Sequence, residues 1–75
     1  DYMDVFVYPI PINGILNIAS KKNIEAIKIF NIVGAEVYAQ DEFEDSLNVS
    51  FLNSGVYFLQ VQIEGQIVYK KIVKQ

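Results

Sequence analysis

The strongest constraint on this chain is how often its apolar runs are interrupted. Turn signals recur at short, regular spacing from end to end, and the apolar residues between them tend to alternate with polar ones. Val5 to Tyr8 is a short apolar run preceded by Asp4. Pro9-Ile10-Pro11 then breaks any ladder, because proline lacks the N–H that a central strand must donate. Asn13-Gly14 tolerates positive φ at both positions and turns the chain. Gly14 to Ala19 resumes as a strand with Leu16 and Ile18 on one face, and the polar, lysine-bearing Ser20 to Asn23 is a loop. Glu25 to Ile32 alternates, Val33-Gly34 turns, and Ala35 to Gln40 returns. Asp41 to Asp45 is an acidic, solvated loop that includes Phe43. Leu47 to Phe51 is the next strand, followed by the turn Asn53-Ser54-Gly55. In Val56 to Ile63 the side chains of Tyr57, Leu59, Val61 and Ile63 share one face, and those of Val56, Phe58, Gln60 and Gln62 share the other. Glu64-Gly65 makes a tight hairpin, and Gln66 to Lys74 runs back.

About seven short strands at this spacing predict an all-β fold, an antiparallel β-sandwich. A helix over Asn23 to Asn31 is the main rival, but Ile24, Ile27 and Lys28 match a helical period only in part. The β-branched content also opposes it. The expected core is Val7, Leu16, Ile18, Ile27, Ile29, Val37, Leu47, Val49, Leu52, Tyr57, Leu59, Val61 and Ile63. Gly14 and Gly55 each open a strand after a turn, where positive φ or close backbone approach is expected.

Composition tightens this reading. A chain of 75 residues is enough for one domain, and one this short buries only roughly 60% of the surface its unfolded form exposes. There is no cysteine to staple it, so stability rests on a 52% hydrophobic composition. The lack of cysteine does not decide the compartment. No stretch approaches the ~20 apolar residues that span a bilayer. The net charge is −3 and there is no Arg, whereas nucleic-acid binding needs a basic surface. Lys21-Lys22 and Lys70-Lys71 with Lys74 read as solvated loop and edge positions.

Little of this inventory can carry chemistry. With no His and no Cys, the usual zinc sites cannot be built. Ser20, Ser46, Ser50 and Ser54 have no histidine to activate them. Asp41, Glu42, Glu44 and Asp45 crowd one loop, but they lack the glycine and distant glutamate of a calcium loop, and a wet loop ionises them alike. Gly34, Gly55 and Gly65 are isolated turn glycines rather than a phosphate cradle. The expectation is a chain with no catalytic residues, no metal and no cofactor. Exposed aromatics could stack on sugars, but Tyr57 falls on an inward face and there is no Trp.

Three segments together resemble a known family. The first runs from Val7 through Pro9-Ile10-Pro11 and Gly14 to Ile18. The second is Ile29-Phe30-Asn31-Ile32-Val33-Gly34-Ala35-Glu36-Val37. The third is Leu52-Asn53-Ser54-Gly55-Val56-Tyr57-Phe58-Leu59, followed by the terminal Lys70-Lys71-Ile72-Val73-Lys74-Gln75. In order and spacing they are similar to the C-terminal sorting domain of proteins exported by the type IX secretion system. That family has Pro-Asn-Pro near its start, a strand–Asn–x–x–Gly hairpin, a Leu-x-x-Gly-x-Tyr strand and a basic-aliphatic end. Ile10 departs from the usual Asn, which would bond its own backbone.

The resemblance implies an immunoglobulin-like sandwich over residues 1–75, cut from a larger exported precursor of Bacteroidota. Its recognition residues would be Pro9, Pro11, Gly14, Gly34, Leu52, Gly55, Tyr57, Lys70, Lys71, Ile72, Val73 and Lys74. Its implied partners are a covalently linked N-terminal cargo, the outer-membrane translocon and a sortase-like peptidase, with neither nucleic acid nor a membrane span. The implied route is transit through the periplasm to the cell surface or medium. The runner-up is an accessory adhesion or carbohydrate-binding sandwich, which exposed aromatics on one sheet face would favour. A structural spacer is the third reading.

Overall fold

The computed structural model describes residues 5–42 and 45–75. Asp4, and Phe43 and Glu44 of the acidic loop, lie outside the described residues. Seven strands follow one another: β1 (Val5–Tyr8), β2 (Ile15–Ser20), β3 (Ile24–Phe30), β4 (Glu36–Asp41), β5 (Ser46–Asn48), β6 (Gly55–Ile63) and β7 (Gln66–Lys74). No helix occurs among the described residues, so the segment that could rival as a helix is the strand β3.

The strands form two antiparallel sheets, ordered β1-β2-β5 and β4-β3-β6-β7, packed as an immunoglobulin-like sandwich. Alternation dictates which side chains meet between the sheets. In β6, Tyr57, Leu59, Val61 and Ile63 are buried, while Phe58 and Gln62 are exposed. Register carries the pattern across the sheet, because partners in an antiparallel pair share a face. Ile29 lies opposite Leu59 and Ile27 opposite Val61, and Ile72 lies opposite Tyr57. Val5, Leu16 and Ile18 from the other sheet, with Val49 just after β5, join the same core cluster.

Most expected core residues are buried, and the exceptions have local causes. Val37 is 38% exposed. The β3–β4 ladder slips by one residue between Ile29 and Phe30, so Ile29 faces Tyr38 rather than Val37. A one-residue slip exchanges the faces of a strand. Tyr38 therefore points inward, donates its hydroxyl to Gln40 Oε1 at 2.7 Å and packs its ring 5.3 Å from that of Phe51. Val7 and Leu47 are half-buried at the margin of the core. Val5, Ile12, Val68 and Ile72 are core residues outside the expected set.

Strand ends differ where side chains compete for the backbone. The expected strand to Ile32 stops at Phe30, because Asn31 Oδ1 accepts the amides of Val33 at 3.1 Å and Ala35 at 2.9 Å. The expected strand Leu47 to Phe51 is only Ser46–Asn48. There Asn48 Oδ1 accepts from Ser50 N, and Leu52 N donates to Val49 O, which closes a turn. The two-residue loop Glu64-Gly65 has positive φ at both positions, 41° and 82°. This is the hairpin geometry that matches strand twist.

Candidate functional site

Antiparallel topology gathers the turns of the three sequence segments at one end of the sandwich. The β1–β2, β3–β4 and β5–β6 connections all lie at the end where β6 begins and β7 finishes. Register fixes this: Phe30 faces Phe58, Phe58 faces Lys71, and Ile15 faces Asn48. The acidic residues Asp41 and Asp45 lie toward the opposite end.

The first segment and the terminal segment are joined directly. After β1 the chain passes through Pro9-Ile10-Pro11, with the Tyr8–Pro9 and Ile10–Pro11 bonds both cis. It then leaves the three-stranded sheet. Ile12 forms a single parallel bridge with Lys74 at the edge of the four-stranded sheet. Its amide donates to Val73 O, and its carbonyl accepts from Gln75 N, both at 2.7 Å. The Ile12 side chain is wholly buried. Residues 9–13 thus form a strap tying one sheet to the end of the other. Sequence reasoning did not mark Ile12, because a lone apolar residue between a proline pair and a turn dipeptide has no periodicity to reveal its face.

The third segment is held by a tyrosine. Tyr57 is buried near the start of β6, and its hydroxyl donates to Asn53 O at 2.8 Å. Immunoglobulin-like sandwiches use a tyrosine in this way at the corner between strands. Leu52 is buried beneath the turn, and Gly55 adopts a φ of 151°. Leu52, Gly55 and Tyr57 therefore shape the corner, with two of the three side-chain positions turned into the core. Gly34 has a φ of 90° in the β3–β4 turn.

Gly14 does not match the expectation made for it. Its φ is not in the positive region, and an added Cβ would sit 3.6 Å from Ser50 Oγ, an ordinary contact. What it contributes is its carbonyl, which accepts from Val49 N at 2.8 Å and ties the start of β2 to the β5–β6 connection.

The terminal lysines divide by parity. Lys70, Ile72 and Lys74 share the inner face of β7, and Lys71 and Val73 the outer. Lys74 is not the solvated position expected. It is 8% exposed, with Nζ donating to Gln75 O at 3.0 Å. The long aliphatic stem lies in the fold and the charged head reaches its rim. Pro9, Pro11 and Lys71 are exposed, and Lys70 and Val73 are half-buried.

No group of metal-ligating side chains occurs among the described residues. A depression is lined in part by Tyr8, Ser20, Lys22, Asn23 and Asp45, and none of the twelve recognition residues that the resemblance implies lines it. Exposed aromatics occur on both outer faces: Phe6 and Tyr8 on one sheet, Phe58 and Tyr69 on the other. They do not single out one platform.

Residues 6–75 match the family described as the secretion system C-terminal sorting domain. The chain is also similar to beta-agarase D of Zobellia galactanivorans, with 34% identity over 68 residues. That match covers 89% of this chain and 14% of the agarase, so the chain spans a small part of the length of the curated relative it matches.

Proposed function

Because this chain belongs to the secretion system C-terminal sorting domain family, whose domain is the type IX C-terminal sorting signal, we propose that it works as a folded address label. The label follows an N-terminal cargo in a longer precursor, folds in the periplasm, and is read at the outer-membrane translocon. A sortase-like peptidase then removes it, and the cargo is released or joined to the surface. The domain supplies no catalysis of its own, in keeping with a chain that has no His, Cys or Arg. The single observation carrying this reading is the family match over nearly the whole chain.

The sequence-marked residues then take two kinds of role. Leu52, Gly55, Tyr57 and Ile72 build the body that is read, through burial and the corner bond. Pro9, Pro11, Lys71 and, at the margin, Lys70 and Val73 offer the contact surface. Gly14, Gly34 and Lys74 hold the backbone and the rim beside it.

The test is a fusion of this chain behind a reporter in a host with type IX secretion, with intact mass measured on the exported reporter. Reporter outside the cell lacking the chain's mass is the expected result. Exported reporter that always retains the full chain rules out the removal step.

A further inference from the structure

The edge of β7 is the part of the surface whose chemistry is most particular. β7 ends the order of the four-stranded sheet, and among the described residues only Ile12 bridges its outer side. Val73 O and Gln75 N point to Ile12. Backbone groups in an antiparallel strand alternate in direction, so the N–H and C=O of Ile67, Tyr69 and Lys71 point the same way. The tight hairpin at Glu64-Gly65 agrees, because its flanking pair Ile63–Gln66 turns the even-numbered residues of β7 toward β6. Beyond the single bridge at Ile12, the ladder continues as a row of edge donors and acceptors along Ile67 to Lys71.

Charge selects what could lie there. Along the open stretch β7 carries Lys70 and Lys71, with Lys74 buried beside Ile12, and neither β6 nor β7 contains a carboxylate. The whole chain is nevertheless acidic, at −3. Lysines on an edge oppose pairing with a second copy of the same edge, and they attract an acidic strand.

We propose that the β7 edge is a strand-addition site, and that its occupant is an extended acidic segment of the export machinery. The segment pairs with Ile67, Tyr69 and Lys71 and continues, in parallel, the ladder begun by Ile12. Backbone bonds hold it, and the lysines set its sign. This rests on the sorting-signal reading and adds where, and by what chemistry, the domain is held.

The test uses the 75-residue chain and a blocked peptide of about eight residues alternating Glu and Val, long enough to span the edge at roughly 3.3 Å per residue. The peptide should slow amide exchange at Ile67, Tyr69 and Lys71 and leave the β4 edge unchanged. A Lys-Val peptide of the same length should not. Lys71→Pro removes an outward donor and no bond to β6, so it should abolish protection. Lys71→Glu, at an exposed side chain, should weaken binding by about tenfold. It carries the test if the proline variant does not fold. Protection at β4 or β1 instead, equal binding of the basic peptide, or unchanged binding by folded Lys71→Glu overturns the proposal. Concentration-dependent protection of the same amides without peptide also overturns it, since a second copy is then the occupant. Wild-type export without peptide binding sinks only the edge proposal, whereas loss of export by the wild-type chain sinks the sorting reading.

Discussion

At the scale of the residue, two glycines that look alike in sequence separate cleanly. Gly55 sits at a φ of 151°, where a side chain is strained, so Gly55→Ala should cost about 1 kcal/mol or more. Gly14 has ordinary φ and room for a Cβ, so Gly14→Ala should leave the melting temperature unchanged or slightly raised. Thermal melts of the two variants side by side check this, and equal losses would contradict it. Tyr57→Phe keeps the buried ring and removes only the bond to Asn53 O, with an expected loss of about 0.5–1.5 kcal/mol. An Asn-Gly pair tolerates positive φ without requiring it, and here neither Asn13 nor Gly14 adopts it. What holds Gly14 is its carbonyl, which any residue would supply.

At the scale of the element, β6 is the strand on which the sandwich depends. It pairs on both sides and buries four side chains. Leu59→Ala should cost about 2–5 kcal/mol, comparable with the roughly 3–5 kcal/mol that a core of this size supplies. Loss of a cooperative denaturant transition is the expected readout. Deleting Lys70 to Gln75 should be nearly as damaging. It removes buried Ile72, unpairs Gly55 to Leu59 and cuts both bonds to Ile12. A truncated chain with wild-type melting behaviour would show that the strap is not needed. Such a deletion therefore cannot separate signal from stability, and surface changes at Lys71 can. Strand parity was legible wherever alternation was strict, as in β6. It failed at Val37, because a bulge leaves no trace in polarity when both neighbouring residues, Val37 and Tyr38, are apolar enough to face inward. Ile12 escaped for a related reason, since one residue has no period.

At the scale of the whole molecule, the marked positions of the three segments, apart from Lys70 at the middle of β7, share one end of the fold, although the chain scatters them from Pro9 to Lys74. Sequence order and spacing carried the resemblance, but not their gathering at one end, which comes from antiparallel topology, nor the strap bond, which comes from tertiary contact. The half of the site that was legible is the half written as local motif. The most direct test of the central claim is to fuse residues 1–75 to a periplasmic reporter in a type IX-competent host and in the same host lacking the translocon. Surface and medium fractions are then assayed for reporter. Reporter is expected outside the competent cells and in the periplasm of the others. Equal export from both hosts, or retention in both with the domain folded, would contradict it.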